Sequence, residues 1–437
     1  MIKNILGTTG TRILNAIINL AILIILTREI GSDGFGTIML ILIAVTIIQL
    51  FVDLIAGSSL IYFSSRTDLL KLLIPSYLWI AIVISLSFLI FRLLSVFFPE
   101  LYEIVIPSGY EQDILLLALF NALMLTNYNL LLGHKKIGRY NIIFTVQILT
   151  LIGVILYQIY VIGNISVIAW ITGAYSSYLT GFMLSMLSVL WIPGSKSMVG
   201  VFQVIKKVFV FGFITQLANM LHLGNKRIGF YFLNAFTGIK AVGVYGAGTQ
   251  LTEGLRLIGQ SISLVQFSEI SNSKSKDFAK VVTIKLMKFS FILTLIAVVI
   301  LVSIPVDIYE LVFGKEFDNL KLVIVALSPG VLALSVNTIF SHYFGGLGRP
   351  IVSLWANGIG MIVTLILAII LIPSLGYLGA AITASASYLS TIIYQYFLFK
   401  KETGTVFAEW LPSKNDLHDI REILKGIRKK KGEKSIK

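Results

Sequence analysis

Between Leu72 and Phe98 the chain carries a single charged residue, Arg92, among apolar and small side chains. A run of this kind can bury its backbone polar groups only as a helix. About 20 mostly apolar residues suffice to cross the ~30 Å hydrocarbon core of a bilayer. Ile13 to Leu26 and Phe289 to Ile304 have the same character. The composition extends it to the whole chain: 57% hydrophobic, 13% charged and mean hydropathy +0.90 over 437 residues, far outside the range of soluble domains. No ten-residue alternation of polar and apolar positions appears, so an all-α polytopic membrane protein is expected and not a β-barrel. The first apolar run has no small-residue cleavage site behind it and reads as a retained helix. Cysteine is absent, which excludes disulfides, thiolate nucleophiles and cysteine metal sites. There is no P-loop, so ATP hydrolysis is not expected of this chain. Nothing in the sequence calls for a cofactor, a metal or a nucleic-acid partner.

Breaking the chain at its polar and Gly/Pro clusters gives twelve candidate spans, centred near Leu20, Ile48, Ser85, Leu123, Thr150, Ser177, Leu217, Gly254, Thr294, Leu332, Met361 and Ser387. Lys and Arg concentrate in cytoplasmic loops. With the N-terminus inside, 27 of the 35 cations fall in cytoplasmic segments, eleven of them after Phe399, and only Arg28, Lys240, Lys315 and Lys321 fall outside. This asymmetry supports twelve spans with both termini cytoplasmic.

Four cations remain within spans: Arg92, Lys226, Arg227 and Arg256, against the acids Asp53 and Glu253. Lys226 and Arg227 lie in "HLGNKRIGFYF", which reads either as a loop or as embedded helix. An added loop would invert everything downstream and send the cationic tail outside, so the charge rule favours the embedded reading. At 100° per residue, Gln216, Asn219, His222, Lys226 and Arg227 share a stripe about 140° wide on the seventh helix. Gln250, Glu253, Arg256 and Gln260 share one face of the eighth. Arg12, Asn15 and Asn19, and likewise Gln49 and Asp53, recur at three or four residues on the first two. A charge at the centre of a span costs roughly 2.5 to 3.5 kcal/mol on insertion scales, so such groups face a bundle interior or a wet cavity. The plainer readings are interhelical hydrogen bonding for the amides, an i,i+3 ion pair for Glu253 and Arg256, and snorkelling to the external interface for Arg92.

The connections repeat. "LTREIGSDGFGTI" follows the first span and "LNAFTGIKAVGVY" the seventh; "NLLLGHKKIGRYNI" follows the fourth and "HYFGGLGRPIVSL" the tenth. Gly36 and Gly243 are 207 positions apart and Gly138 and Gly348 are 210 apart, as two copies of six helices would produce. The expected divisions are residues 1–200, 201–400 and a basic cytoplasmic tail, 401–437. In the tail Leu417, Ile420, Ile423, Leu424 and Ile427 recur at helical spacing beside Arg421, Lys425 and the run Arg428 to Lys431, suggesting an amphipathic helix on anionic lipid.

"REIGSDGFG", "LLGHKKIGRYN" and "VGVYGAGTQLTEGL" resemble the polysaccharide transporter branch of the multidrug/oligosaccharidyl-lipid/polysaccharide (MOP) exporters, the O-antigen flippases, over about residues 1 to 400. The resemblance implies two six-helix bundles around a central cavity, as in MATE-type exporters, in a bacterial plasma membrane. It implies translocation of an undecaprenyl-pyrophosphate-linked oligosaccharide, of O-antigen or capsule type, alongside other polysaccharide-assembly membrane proteins. Peptidoglycan lipid flippases of the superfamily typically carry extra helices, for which this chain has no room. Where many relatives place an aspartate in the seventh helix, this chain has Asn225.

Within that frame Lys226, Arg227, Arg256, Arg12, Gln216, Asn219 and His222 are the candidate cavity residues, with Asp53 and Glu253 as candidate ion carriers. Guanidinium groups bind phosphate oxygens through paired charge-assisted hydrogen bonds, so a pyrophosphate suits a cationic cavity. No bond is made or broken in such a task, so the protein is not expected to be an enzyme. Two alternatives stand beside it. A multidrug exporter of organic cations would line its cavity with acidic and aromatic groups. A polymerase or ligase would need a catalytic domain or a long external loop, whereas the longest external connection, about Pro99 to Gln112, is short.

Overall fold

The computed structural model describes residues 2–64, 66–192, 198–272, 276–349, 351–406 and 409; the amphipathic segment expected in the tail lies outside them. All thirteen long elements among these residues are helical: α1 (Ile2–Ala56), α2 (Ser59–Ser64), α3 (Leu69–Phe97), α4 (Pro99–Val105), α5 (Glu111–Gly133), α6 (Ile137–Leu156), α7 (Val167–Leu190), α8 (Val201–Thr237), α9 (Ile239–Asn272), α10 (Lys276–Ser303), α11 (Val306–Phe313), α12 (Leu320–Gly346) and α13 (Ile351–Thr403). A π-turn, Tyr157–Val161, prolongs α6, and a 3-10 turn, Lys315–Phe317, precedes α12. Eight helices are long and apolar enough to cross a membrane. Two of them, α1 and α13, are each broken in the middle, at Gly31 and Gly376, and so supply two spans apiece. Adding α8 and α9, whose embedded charges lower their hydropathy, gives the twelve spans read from the sequence. Each of the twelve expected centres falls inside its own helical segment.

Gly31 has φ 75° and ψ −177°, and Gly238, between α8 and α9, has φ 90° and ψ 173°. This region of backbone space is open essentially to glycine alone, and the two positions are 207 residues apart. The other left-handed residues pair likewise: Gly109 with Gly314, Lys135 with Gly348, Gly163 with Gly376 and Gly200 with Gly404, at offsets between 204 and 213. The second copy of six helices therefore repeats the first at these five turns. One detail is corrected: the counterpart of Gly348 is Lys135 (φ 59°), not Gly138, which opens α6 in ordinary helical geometry. A lysine occupies the left-handed position in one copy and a glycine in the other.

By internal packing the chain forms two compact units. Among the described residues the first comprises those within 1–247, 306–320 and 372–377, and the second those within 248–305, 321–371 and 378–409. The packing boundary thus falls within α9, and α8 packs with the helices that precede it.

Close backbone approaches hold the first unit. A Cβ on Gly212 in α8 would stand 2.0 Å from the Leu54 carbonyl oxygen of α1. A Cβ on Gly36 would stand 2.2 Å from the Ile239 carbonyl oxygen, and one on Gly243 would stand 2.0 Å from that of Ser32. Ser32 and Ile239 are themselves 207 apart, so the contact is reciprocal: each copy of the turn offers its glycine to the carbonyl of the other, as at a local two-fold axis. Buried hydrogen bonds tie neighbouring helices, Gln147 Nε2 to Ser177 Oγ at 2.6 Å and Tyr77 Oη to Asn127 Oδ1 at 2.8 Å. At one edge Ser32 donates through its backbone N–H (2.8 Å) and its hydroxyl (2.6 Å) to Glu316 Oε2. Those bonds hold the Glu316 carboxyl below its usual range, assisted by Lys240 and opposed by burial.

The second unit has an aromatic and aliphatic core in which Ile339, Phe340, Tyr343, Phe344 and Phe399 join Ile270, Ile284 and Met287. Tyr343 and Phe399 meet edge to face at 4.8 Å. Gly330 lets α12 approach Ser385 of α13, whose hydroxyl donates to the Ala326 carbonyl at 2.6 Å.

Candidate functional site

The run "HLGNKRIGFYF" is neither a loop nor a break. It lies inside α8, helical without interruption from Val201 to Thr237. At 1.5 Å per residue α8 is about 55 Å long, well beyond a hydrocarbon core. Lys226 lies twelve residues, about 18 Å, before the Gly238 turn and about 28 Å beyond Lys207. It is buried, with 7% of its surface exposed, and Asn225 beside it has 4%. The Arg227 guanidinium stands over the ring of fully buried Phe230 at 5.6 Å from its centroid, a cation–π arrangement strengthened by exclusion from water. Phe230 packs on Tyr245 at 4.8 Å.

Toward the other end of α8 the polar stripe joins a network that crosses three helices. Asn121 Nδ2 of α5 donates to Gln49 Oε1 of α1 at 3.2 Å, and Gln49 Nε2 donates to Asp53 Oδ1 at 2.7 Å. Gln216 of α8, buried at 3% exposure, also hydrogen-bonds the Asp53 carboxyl. Asn219 Nδ2 donates to Gln216 Oε1 at 2.9 Å. A carboxyl within a span is thus solvated by side-chain amides from two helices, which compensates its removal from water.

The structure therefore brings Gln216 and Asn219 together with Asp53, and sets His222, Lys226 and Arg227 on the same α8 above them. Glu253 and Arg256 lie on the part of α9 that belongs to the second unit. There the Gln260 amide, its oxygen turned toward Arg256, accepts from Nη2 at 2.8 Å and Nε at 3.3 Å. Arg12 lies on α1, with its side chain outside the described set. Arg92 is exposed five residues from the end of α3 and lies over Phe88, as a side chain reaching for the interface would. Sequence reasoning placed Gln49 and Asp53 four residues apart on one helix but assigned Asp53 and Gln216 separate roles. The links from Asn121 and Gln216 have no sequence signal, because they depend on how α1, α5 and α8 cross. Among the described residues no group of three His, Cys, Asp or Glu could hold a metal ion.

Twelve helical spans, four of them joined in two pairs through glycine breaks, with charged groups inside the seventh, define a multi-pass membrane protein with the fold of the MOP-superfamily transporters. The chain superposes on a lipid II flippase, MurJ, in an inward closed conformation with a TM-score of 0.70 at 16% identity, over 92% of this chain and 88% of that one. On an inward-facing multidrug resistance MATE family transporter of the MOP superfamily the TM-score is 0.65 at 16% identity, over 89% and 98%. Residues 254–425 match the family described as polysaccharide biosynthesis protein. A probable low-salt glycan biosynthesis flippase, Agl15 of Haloferax volcanii, is 27% identical over 161 residues, 36% of this chain and 34% of that protein. The chain spans less than half the length of the curated relatives it matches.

Proposed function

We propose that this protein carries a polyprenyl-pyrophosphate-linked oligosaccharide, such as an undecaprenyl-linked O-antigen or capsule unit, across the plasma membrane by alternating access. The head group passes through a cationic cavity while the lipid tail stays in the bilayer. The observation that carries this reading is Lys226, a buried ammonium in the interior of an unbroken spanning helix, with Arg227 next to it. Charge within a span is costly and normally faces a bundle interior or a wet cavity, where an anionic head group can meet it. Lys226 and Arg227 hold the pyrophosphate, Gln216, Asn219 and His222 on the same helix meet the sugar or phosphate oxygens, and Asp53 carries a coupling ion. The family match and the flippase relative support the substrate class, and the embedded excess of cations over acids opposes an exporter of organic cations. Both termini lie in the cytoplasm on this reading.

Complementation of a strain depleted of its own transporter tests it. Lys226→Ala and Arg227→Ala abolish export while the protein still accumulates in the membrane, Arg227→Lys retains part of it, and Arg227→Glu none. Full activity in both alanine variants and in Arg227→Glu refutes the cationic-cavity mechanism.

A further inference from the structure

The residues around the break between α2 and α3 enclose a cleft that the transport reading does not use. Its volume is about 660 Å³, within the range of small-molecule sites. Tyr62, Phe63, Arg66, Thr67, Asp68 and Lys71 line one side, and Val204 and Lys207 of α8 the other. Three cations thus face one carboxylate.

The cations differ in what already holds them. The Arg66 guanidinium is spread over the Tyr62 ring at 3.9 Å and donates through Nη1 to the Tyr62 carbonyl at 2.6 Å. Lys71 pairs with Asp68 at 2.8 Å. Lys207 is exposed and, among the described residues, makes no ion pair. Beside these charges the wall is aromatic. Tyr62 stacks on Phe211 at 5.2 Å and 15°, Phe63 meets Phe211 edge-on at 6.1 Å, and Phe209 meets Trp79 at 6.3 Å. Tyr62 and Phe211 keep 45% and 41% of their surface exposed, and Ile61 and Val210 are exposed next to them. Aromatic girdles of this kind sit at the headgroup level of a bilayer. Arg66, Lys71 and Lys207 belong to segments that the cation asymmetry assigns to the cytoplasmic side.

From this juxtaposition we propose that the cleft is a docking site for a phosphate-bearing lipid of the inner leaflet. The phosphate sits against Lys207, Lys71 and Arg66, and the chains lie along the exposed apolar faces of α2 and α8. Basic pockets between spanning helices on the cytoplasmic side recognise anionic headgroups by this combination. Either a bulk anionic phospholipid or a polyprenyl phosphate presents the same chemistry. Only the second source rests on the proposed substrate.

Native mass spectrometry of the purified full-length protein, with phosphatidylglycerol, phosphatidylcholine or a polyprenyl phosphate added, tests the site. The protein retains the anionic lipid in preference to phosphatidylcholine. Lys207→Gln and Lys71→Gln each weaken retention about fivefold, the factor equal to ~1 kcal/mol per interfacial cation, whereas Lys315→Gln, in an external turn, does not. If polyprenyl phosphate displaces phosphatidylglycerol, the carrier is the occupant; if it does not, a bulk phospholipid is. Equal retention by wild type, Lys207→Gln and Lys71→Gln, or no preference for anionic lipid, overturns the proposal. Export measured separately on Lys226→Ala keeps failure of this site distinct from failure of the transport reading.

Discussion

The reciprocal contact of Gly36 and Gly243 makes a quantitative prediction. A methyl group on either residue would stand 2.0 to 2.2 Å from a backbone carbonyl oxygen, whereas a carbon and a carbonyl oxygen come to rest at about 3.3 Å. The obstruction is main chain within helices, so no rotamer change relieves it, and the two turns must separate by about 1.2 Å. A radial gap of 0.5 to 1 Å already forfeits roughly a quarter to a half of each dispersion contact it opens. Overpacking of this order costs about 1 to 3 kcal/mol. With a middle value of ~2 kcal/mol and about 2 to 4 °C per kcal/mol for units of this size, Gly36→Ala and Gly243→Ala should each lower the midpoint of thermal unfolding by about 4 to 8 °C. Both methyl groups demand the same separation. The double variant should therefore cost well under the sum of the two, with a coupling of about 1 to 2 kcal/mol. Gly229, in the interior of α8 with nothing within 4 Å of its would-be Cβ, is the control: Gly229→Ala should be neutral or stabilising by up to ~1 kcal/mol. Thermal unfolding of the purified variants in one detergent reads all four. Single variants as stable as wild type, or a strictly additive double, would refute the close-approach argument.

Other perturbations follow from the same structure. Glu316→Gln should lower stability by about 0.5 to 1 kcal/mol, since two hydrogen bonds lose their charge assistance at an exposed, screened site. Because the folded carboxyl titrates below its usual range, this stabilisation is complete above the unfolded carboxylate pKa of about 4.3 and is lost as pH falls through the lower folded value. The melting difference between wild type and Glu316→Gln should accordingly hold from pH 8 to 6 and shrink below about 4; a difference independent of pH would show that the charge plays no part. Gln216→Leu leaves Asp53 without one of its amide donors and should cost about 1 to 3 kcal/mol in detergent melts, more than Asn219→Leu, whose side chain is exposed; the reverse order would mean that Gln216 does not serve the carboxyl. Reporter fusions at Lys136 and Lys430 should read cytoplasmic and one at Gly109 external; a cytoplasmic signal at Gly109 would break the twelve-span arrangement.

Much of the fold was legible because in a bilayer the solvent itself sets helix length and loop charge. The twelve centres came from apolar runs, and the repeat from glycines at a shared offset. The sequence could show Gly36 and Gly243 as matched but not as touching, because contact depends on the angle at which two glycine turns cross. Gly138 misled for a related reason. It lies three residues from the position whose backbone turns left-handed, and there Lys135 hides the counterpart of Gly348 behind a different residue type. The boundary of internal packing, inside α9 at Ala247, has no compositional mark at all.

The candidate site was legible only along single helices. Periodicity put Gln216, Asn219, His222, Lys226 and Arg227 on one stripe, and the unbroken α8 makes that stripe real. What periodicity cannot supply is the partner across the interface, and here the partner alters the chemistry. Asp53 would be a costly isolated carboxylate on α1, yet with Gln49, Gln216 and Asn121 it becomes the centre of an amide-solvated cluster at one end of the stripe. Lys226 lies ten residues farther along α8, about 15 Å away. On the proposed reading, the helix that meets an anion at Lys226 and Arg227 also holds a carboxyl by hydrogen bonds, ten residues nearer its N-terminal end. A displacement of α8 against α1 large enough to open the Gly212–Leu54 approach would also strip the Gln216 donor from Asp53. On the proposed reading, the groups assigned to the substrate and to a coupling ion are mechanically joined through one helix. Coupling of that kind requires both ends of α8 to respond together, so Gly212→Ala, which forces that approach apart, should impair export while leaving the Lys226 region chemically intact.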